Sequence, residues 1–146
     1  MASLVEELVN VLEAEKQIYT TLVGYEERKK DVLIAADVAT LEEITTKEQL
    51  AGDDLIAYSN KQIQILKDIA TVLGRTDGKM TVTRLISLLD TQPNVQEQLT
   101  EARDSLLTAA NQMKTLSDQN AILIRQAIEL NEFDMTLFKS LRQAPE

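Results

Sequence analysis

A chain without a single His or Cys has few chemistries open to it. It cannot build a Ser–His or Cys–His nucleophile pair, an imidazole base or an ordinary zinc site. The Glu-x-x-His motif of carboxylate-bridged metal bundles cannot be spelled either. Carboxylates remain. Asp53-Asp54 is the densest acidic pair, but consecutive helical residues point about 100° apart and do not converge on one cation. The stretch Gly74-Arg75-Thr76-Asp77-Gly78-Lys79 superficially resembles a phosphate-binding loop. That motif needs four residues between its glycines, Ser or Thr after the Lys, and a strand before it. Here three residues intervene, Met80 follows, and a helical pattern precedes, so Asp77-Gly78 reads as a turn. Arg28-Lys29-Lys30 reads as a solvated basic face near a helix end. The expectation is a protein that is not an enzyme and holds no metal or cofactor, which leaves binding as its work.

The element that would do the binding is the last third. Leu99, Ala102, Leu106, Ala109, Met113, Leu116, Asn120, Leu123, Ala127, Leu130, Asp134, Leu137 and Leu141 recur in alternating threes and fours. About six heptads exceed the 3–4 that argue for a coiled coil. A helix of ~45 residues would be ~68 Å long and needs partners of similar length. Its second half carries more apolar surface than one seam uses. With about 100° per residue, Ile122 and Phe133 lie to one side of the Leu123, Leu130, Leu137, Leu141 row, and Ile124, Ile128 and Met135 lie to the other. The arc is roughly 240° wide against ≳100° for an ordinary core-facing helix. Leu123, Leu130 and Leu137 are expected in the bundle's own core, with Ile124, Ile128 and Met135 accessible on its flank. Asn120, polar within the apolar stripe, is expected to fix register or partner number.

Upstream, Ser3 and Glu6 spell a capping box. Leu4, Leu8, Val11, Glu15, Ile18, Leu22, Tyr25, Lys29 and Val32 mark a first helical stripe, widened by Val5, Leu12, Tyr19 and Leu33. After a break at Ala35-Ala36-Asp37, with Asp37 as the cap, the pattern resumes as Leu41, Ile44, Glu48, Ala51, Leu55, Tyr58, Gln62, Ile65, Ile69 and Val72. A short connection makes the two helices antiparallel neighbours. Residues 4–73 therefore read as a helical hairpin and 74–93 as a loop and short helix capped by Thr81 or Thr83. Residues 94–141, capped by Asn94, read as the long helix. The fold class is all-α: an elongated, coiled-coil-like bundle in a single domain over 1–146. Net charge of −9 argues against nucleic acid or an anionic membrane as the main partner. No run of 18 apolar residues and no basic leader suggest a cytoplasmic protein.

Three segments carry a family resemblance along essentially the whole chain. They are Lys30-x-x-Leu33-x-x-x-Asp37-x-x-x-Leu41-x-x-Ile44-x-x-x-Glu48, then Met80-Thr81-Val82-Thr83-x-Leu85-Ile86, then Leu116-x-x-x-Asn120-x-x-Leu123-Ile124-x-x-Ala127-Ile128. In this order and spacing the sequence resembles the FlgN family of flagellar export chaperones. It departs from many members in having Tyr58-Ser59-Asn60-Lys61-Gln62 where they carry Glu-x-x-Arg. No Tyr-Gly pair, implicated in docking on the export gate in some members, follows Leu141.

The resemblance implies a cytoplasmic chaperone of flagellar type III secretion. It would hold hook-associated proteins 1 and 3, the hook–filament junction proteins, by a C-terminal helix and deliver them to export gate or ATPase components. The family's client-binding region, the C-terminal helix, falls on the surplus apolar arc. That places the candidate client contacts at Ile122, Leu123, Ile124, Ala127, Ile128, Leu130, Phe133, Met135, Leu137, Phe138 and Leu141. The alternative is a structural coiled-coil scaffold whose arc is buried in a homo-oligomer. A homodimer that opens for a client would reconcile the two.

Overall fold

The computed structural model describes residues 2–143; the side chains of Asn131, Phe133, Asp134, Leu137, Phe138, Arg142 and Gln143 lie outside the described residues. Four helices follow in order: α1 (Ala2–Ala35), α2 (Val38–Leu73), α3 (Val82–Leu88) and α4 (Pro93–Gln143). There is no strand among the described residues. The long helices form the expected elongated helical bundle. α1 is its middle member, packed on α2 along one side and on α4 along the other.

Two residues turn α1 into α2. Ala36 adopts the left-handed conformation at φ 55°. Its N–H reaches the Leu33 carbonyl and the Asp37 N–H reaches the Val32 carbonyl, which closes α1 with a Schellman motif. Asp37 then caps α2, its carboxylate accepting from the Thr40 N–H at 3.2 Å and the Thr40 hydroxyl at 2.6 Å. So short a link permits only an antiparallel hairpin. The same closure recurs at Gly74, at φ 66°, with bonds from the Gly74 and Arg75 N–H groups to the Thr71 and Ala70 carbonyls. Thr81 caps α3 through the Arg84 N–H at 3.0 Å. Gln96 of α4 donates to the Ile86 carbonyl at 2.8 Å and fastens α3 to α4.

Two cap expectations fail at their exact positions. α1 already includes Ser3, so the predicted capping box lies inside the helix. α4 starts at Pro93, one residue before the predicted Asn94 cap. Proline suits the first helical turn because its absent N–H would be unpaired there anyway.

The main core sits at the end away from the hairpin turn. Val5, Leu8, Val9, Val11 and Leu12 of α1 meet Ile65, Leu66, Ile69 and Ala70 of α2. Met80, Val82, Leu85 and Leu89 close over them from α3 and its loop, and Leu99 and Ala102 arrive from α4. Leu8, Leu12, Ile69, Leu85 and Leu99 are fully buried, each worth ~1.5–3 kcal/mol relative to exposure. Both the start of α1 and the start of α4 lie in this cluster, so the two helices run parallel. α4 is the longer, 51 residues against 34.

Candidate functional site

The length mismatch leaves the end of α4 without a neighbour among the described residues. Asn120 of α4 is level with Glu26 of α1 through a direct hydrogen bond. α1 ends at Ala35, so α4 passes the turn near residue 129. The rest projects roughly 20 Å beyond it at 1.5 Å per residue. Burial along the heptad row follows this geometry. Leu99, Ala102, Ala109 and Asn120 are buried, Leu106, Met113, Leu116 and Leu123 are half-buried, and Ala127, Leu130 and Leu141 are exposed.

The predicted contact residues therefore divide. Ile122, Ile128, Leu130, Met135 and Leu141 are between 51% and 69% exposed, far more than apolar side chains in a bundle seam. Leu123 and Ile124 are half-buried, which corrects the expectation that Ile124 is freely accessible on the flank: it packs toward the hairpin turn. The expectation that Leu130 belongs to the bundle core is corrected. α1 and α2 have turned back before reaching it, so no helix among the described residues lies alongside. The placements proposed for Phe133, Leu137 and Phe138 lie outside the described residues.

Ile124, Ala127 and Ile128 border a groove of about 300 Å³, closed on its other side by Val32, Leu33, Ala36, Val38 and Leu41 of the turn. Ile34 and Val38 add exposed apolar surface at the same end. Periodicity predicts the α4 wall of this groove but not the turn wall. The signal was available: Val32, Leu33, Val38 and Leu41 flank a two-residue link that must present them together.

Behind the groove lies a polar layer that joins all three long helices. Glu26 and Asn120 are each only 3% exposed. Asn120 Nδ2 donates to the Glu26 carbonyl at 2.8 Å and to Glu26 Oε2 at 2.7 Å. Lys29 Nζ stands 3.5 Å from Glu26 Oε1 and 2.6 Å from Glu48 Oε1 of α2. Glu48 Oε1 is buried with no hydrogen-bond partner, and its contact with Lys29 is an ion pair. Burial would raise the Glu26 carboxyl, but hydrogen bonds from Glu48 and Asn120 and the adjacent Lys29 ammonium hold it below the ordinary range. Glu48 is pushed up to about 7 by burial and by its hydrogen bond to Glu26. Lys29 is not the solvated residue expected from its basic run: its side chain is 14% exposed and ion-paired.

A second polar layer is nearer the core. Glu15 is buried in the α1 stripe, and burial raises its carboxyl to about 7. The Gln62 amide lies 2.6 Å from Glu15 Oε1 and can pair with it in either state, its oxygen accepting from the protonated carboxyl or, with the amide turned, its Nε2 donating to the carboxylate. Neither polar layer lines the groove at the turn. Among the described residues no group of three or more His, Cys, Asp or Glu could hold a metal ion, and no helix is long and apolar enough to cross a membrane.

A family model described as "FlgN protein" matches residues 1–146. Among curated proteins, the alanine–tRNA ligase of Pseudoalteromonas translucida (strain TAC 125) is 31% identical over 98 residues. That stretch is 67% of this chain and 9% of the ligase, so the chain spans less than a tenth of that protein's length. The likeness carries no activity across. No solved structure matches the chain.

Proposed function

The chain belongs to the FlgN family of flagellar export chaperones, and from that premise we propose that its α4 overhang, with the groove at the hairpin turn, holds a C-terminal helix of a hook–filament junction protein. The clients would be hook-associated proteins 1 and 3, kept unassembled in the cytoplasm and handed to the export gate or ATPase. The observation that carries the reading is the row of large apolar side chains left exposed where α4 outruns α1. An amphipathic client helix laid against Ile128, Met135 and their neighbours would bury its own apolar stripe as in other helix-in-groove complexes. Capture and release need no covalent step.

Asn120 has a supporting part in this proposal. A slip of one heptad along α1 would shift α4 by about 10 Å and halve the overhang. It would also strip the buried Glu26 of its Asn120 donor. Asn120 thus sets how far the binding surface extends.

Calorimetric titration of the purified chain with each junction protein tests the reading. A saturable one-site isotherm is expected, and deletion of the junction protein's C-terminal helix should abolish it. The same exposed row would also suit a second copy of the chain, as in a structural scaffold. Sedimentation across a hundredfold range of concentration distinguishes the two: a permanent oligomer that refuses the client would replace the chaperone reading.

A further inference from the structure

At the end of the bundle opposite the overhang, the loop after Gly74 folds back over the last turns of α2 and leaves a second groove, of about 420 Å³. That is within the ~300–1,000 Å³ of ordinary ligand pockets. Leu66, Ala70 and Met80 form its floor and also belong to the main core, which fixes its shape. Ile63 stands exposed at its edge. Its charged lining consists of Lys67 and Lys79, with no carboxylate among the lining residues. Among the described residues neither lysine has an ion-pair partner.

The charge is out of keeping with the rest of the molecule. Residues 61–84 hold Lys61, Lys67, Arg75, Lys79 and Arg84 against Asp68 and Asp77, a net of +3, while the remainder carries −12. Asp77 is engaged by Arg84 at 3.4 Å, and Asp68 accepts from Gln64 at 2.9 Å. Glu7, at the start of α1, lines a separate hollow with Tyr58 and Lys61. At physiological salt the screening length is ≈ 8 Å. A ligand seated in the groove therefore feels the local lysines more than the distant acidic surface. A long polyanion or an anionic membrane would span both and be repelled by the larger negative share.

We propose that this groove docks a short acidic amphipathic segment of a partner protein. The segment's apolar stripe would lie against the exposed Ile63, over the floor formed by Leu66, Ala70 and Met80, and its carboxylates on Lys67 and Lys79. The proposal goes beyond the client reading and stands whether or not the α4 overhang takes a client.

The test uses the full ¹⁵N-labelled chain and two designed fluorescent peptides. Both carry the same helical apolar stripe, one flanked by Glu and the other by Lys. The Glu peptide should bind, weaken at least fivefold between 50 and 300 mM salt, and move the amide resonances of residues 63–80. The Lys peptide should not bind. Lys67→Glu with Lys79→Glu, both exposed positions, should leave the melting temperature unchanged and reverse the preference. Ile63→Ser should weaken the Glu peptide without altering the preference. Equal binding of the two peptides would overturn the proposal. So would a preference unmoved by the charge swap, shifts confined to residues 122–141, or self-association of the chain through this groove. Displacement of the Glu peptide by anionic vesicles or an oligonucleotide at matched charge would overturn it in favour of a different class of partner.

Discussion

Replacing Asn120 by Ala should destabilise the bundle by about 2–3 kcal/mol. The wild-type amide makes two buried hydrogen bonds, at 2.8 Å to the Glu26 carbonyl and at 2.7 Å to its carboxylate. A bond to a neutral acceptor contributes ~0.5–1.5 kcal/mol and one to a charged acceptor ~1.5–3. The sum is reduced because Glu26 keeps two other partners, Lys29 and Glu48. For a chain of this size each kcal/mol moves the melting temperature by roughly 2–4 °C, so a fall of about 4–12 °C follows. Urea titration followed by far-UV circular dichroism at pH 7 gives the free energy, and an unchanged m-value shows that the unfolding reaction is the same. A double-mutant cycle with Glu26→Ala isolates the pair and should return a coupling of about 1–2 kcal/mol. A loss below about 0.5 kcal/mol together with additive single effects would show that α1 and α4 are not held through this contact.

Two further outcomes follow from the same interior. Glu15, raised by burial from 4.5 to about 7, binds a proton more readily folded than unfolded; the stability this brings is full below pH ~4.5 and lost as pH rises through ~7. Unfolding free energy should therefore fall from pH 5 to 8, and Glu15→Gln should stabilise the protein at pH 8 while changing little at pH 5; Glu48, also raised to about 7, adds to the fall, and a wild-type profile flat over this range would contradict the assignment. Ala36, in the left-handed region, should gain about 0.5–1 kcal/mol on replacement by Gly, which takes that conformation without a Cβ penalty; thermal melting checks it, and a decrease would mean that the turn is differently closed.

Much of this architecture was legible because it is periodic. Threes and fours in the apolar residues located the long helices, and the two-residue gap before Asp37 fixed an antiparallel hairpin. The long C-terminal row announced a helix that its neighbours could not fully cover. The sequence could not say where along that row the cover stops. Leu130 continues the same heptad as Leu123, and only the parallel register of α4 on α1 decides that one is half-buried and the other exposed. The polar layers were partly visible. Glu15, Lys29, Glu48 and Gln62 each sat in an apolar stripe, and folding about the turn pairs Lys29 with Glu48 and Glu15 with Gln62. Glu26 was hidden, because one stripe was assigned to α1 and Tyr25 occupied it. A central helix buries two sides, and the second side is where Glu26 meets Asn120. Ala36 at the left-handed closing position was unreadable for a related reason: glycine ordinarily marks that site.

The central claim is that the α4 overhang holds the client, and Ile128→Glu with Met135→Glu tests it most directly. The two positions are one heptad apart and each about half exposed, so the melting temperature should stay within about 2 °C of wild type. Burying each on a client helix is worth ~1 kcal/mol or more, and a glutamate forced into the same contact adds a desolvation cost of similar size. Together these should weaken binding of a junction protein's C-terminal segment at least a hundredfold in fluorescence anisotropy, since 1.4 kcal/mol is about tenfold. A variant that remains folded and binds that segment with wild-type affinity would contradict the claim.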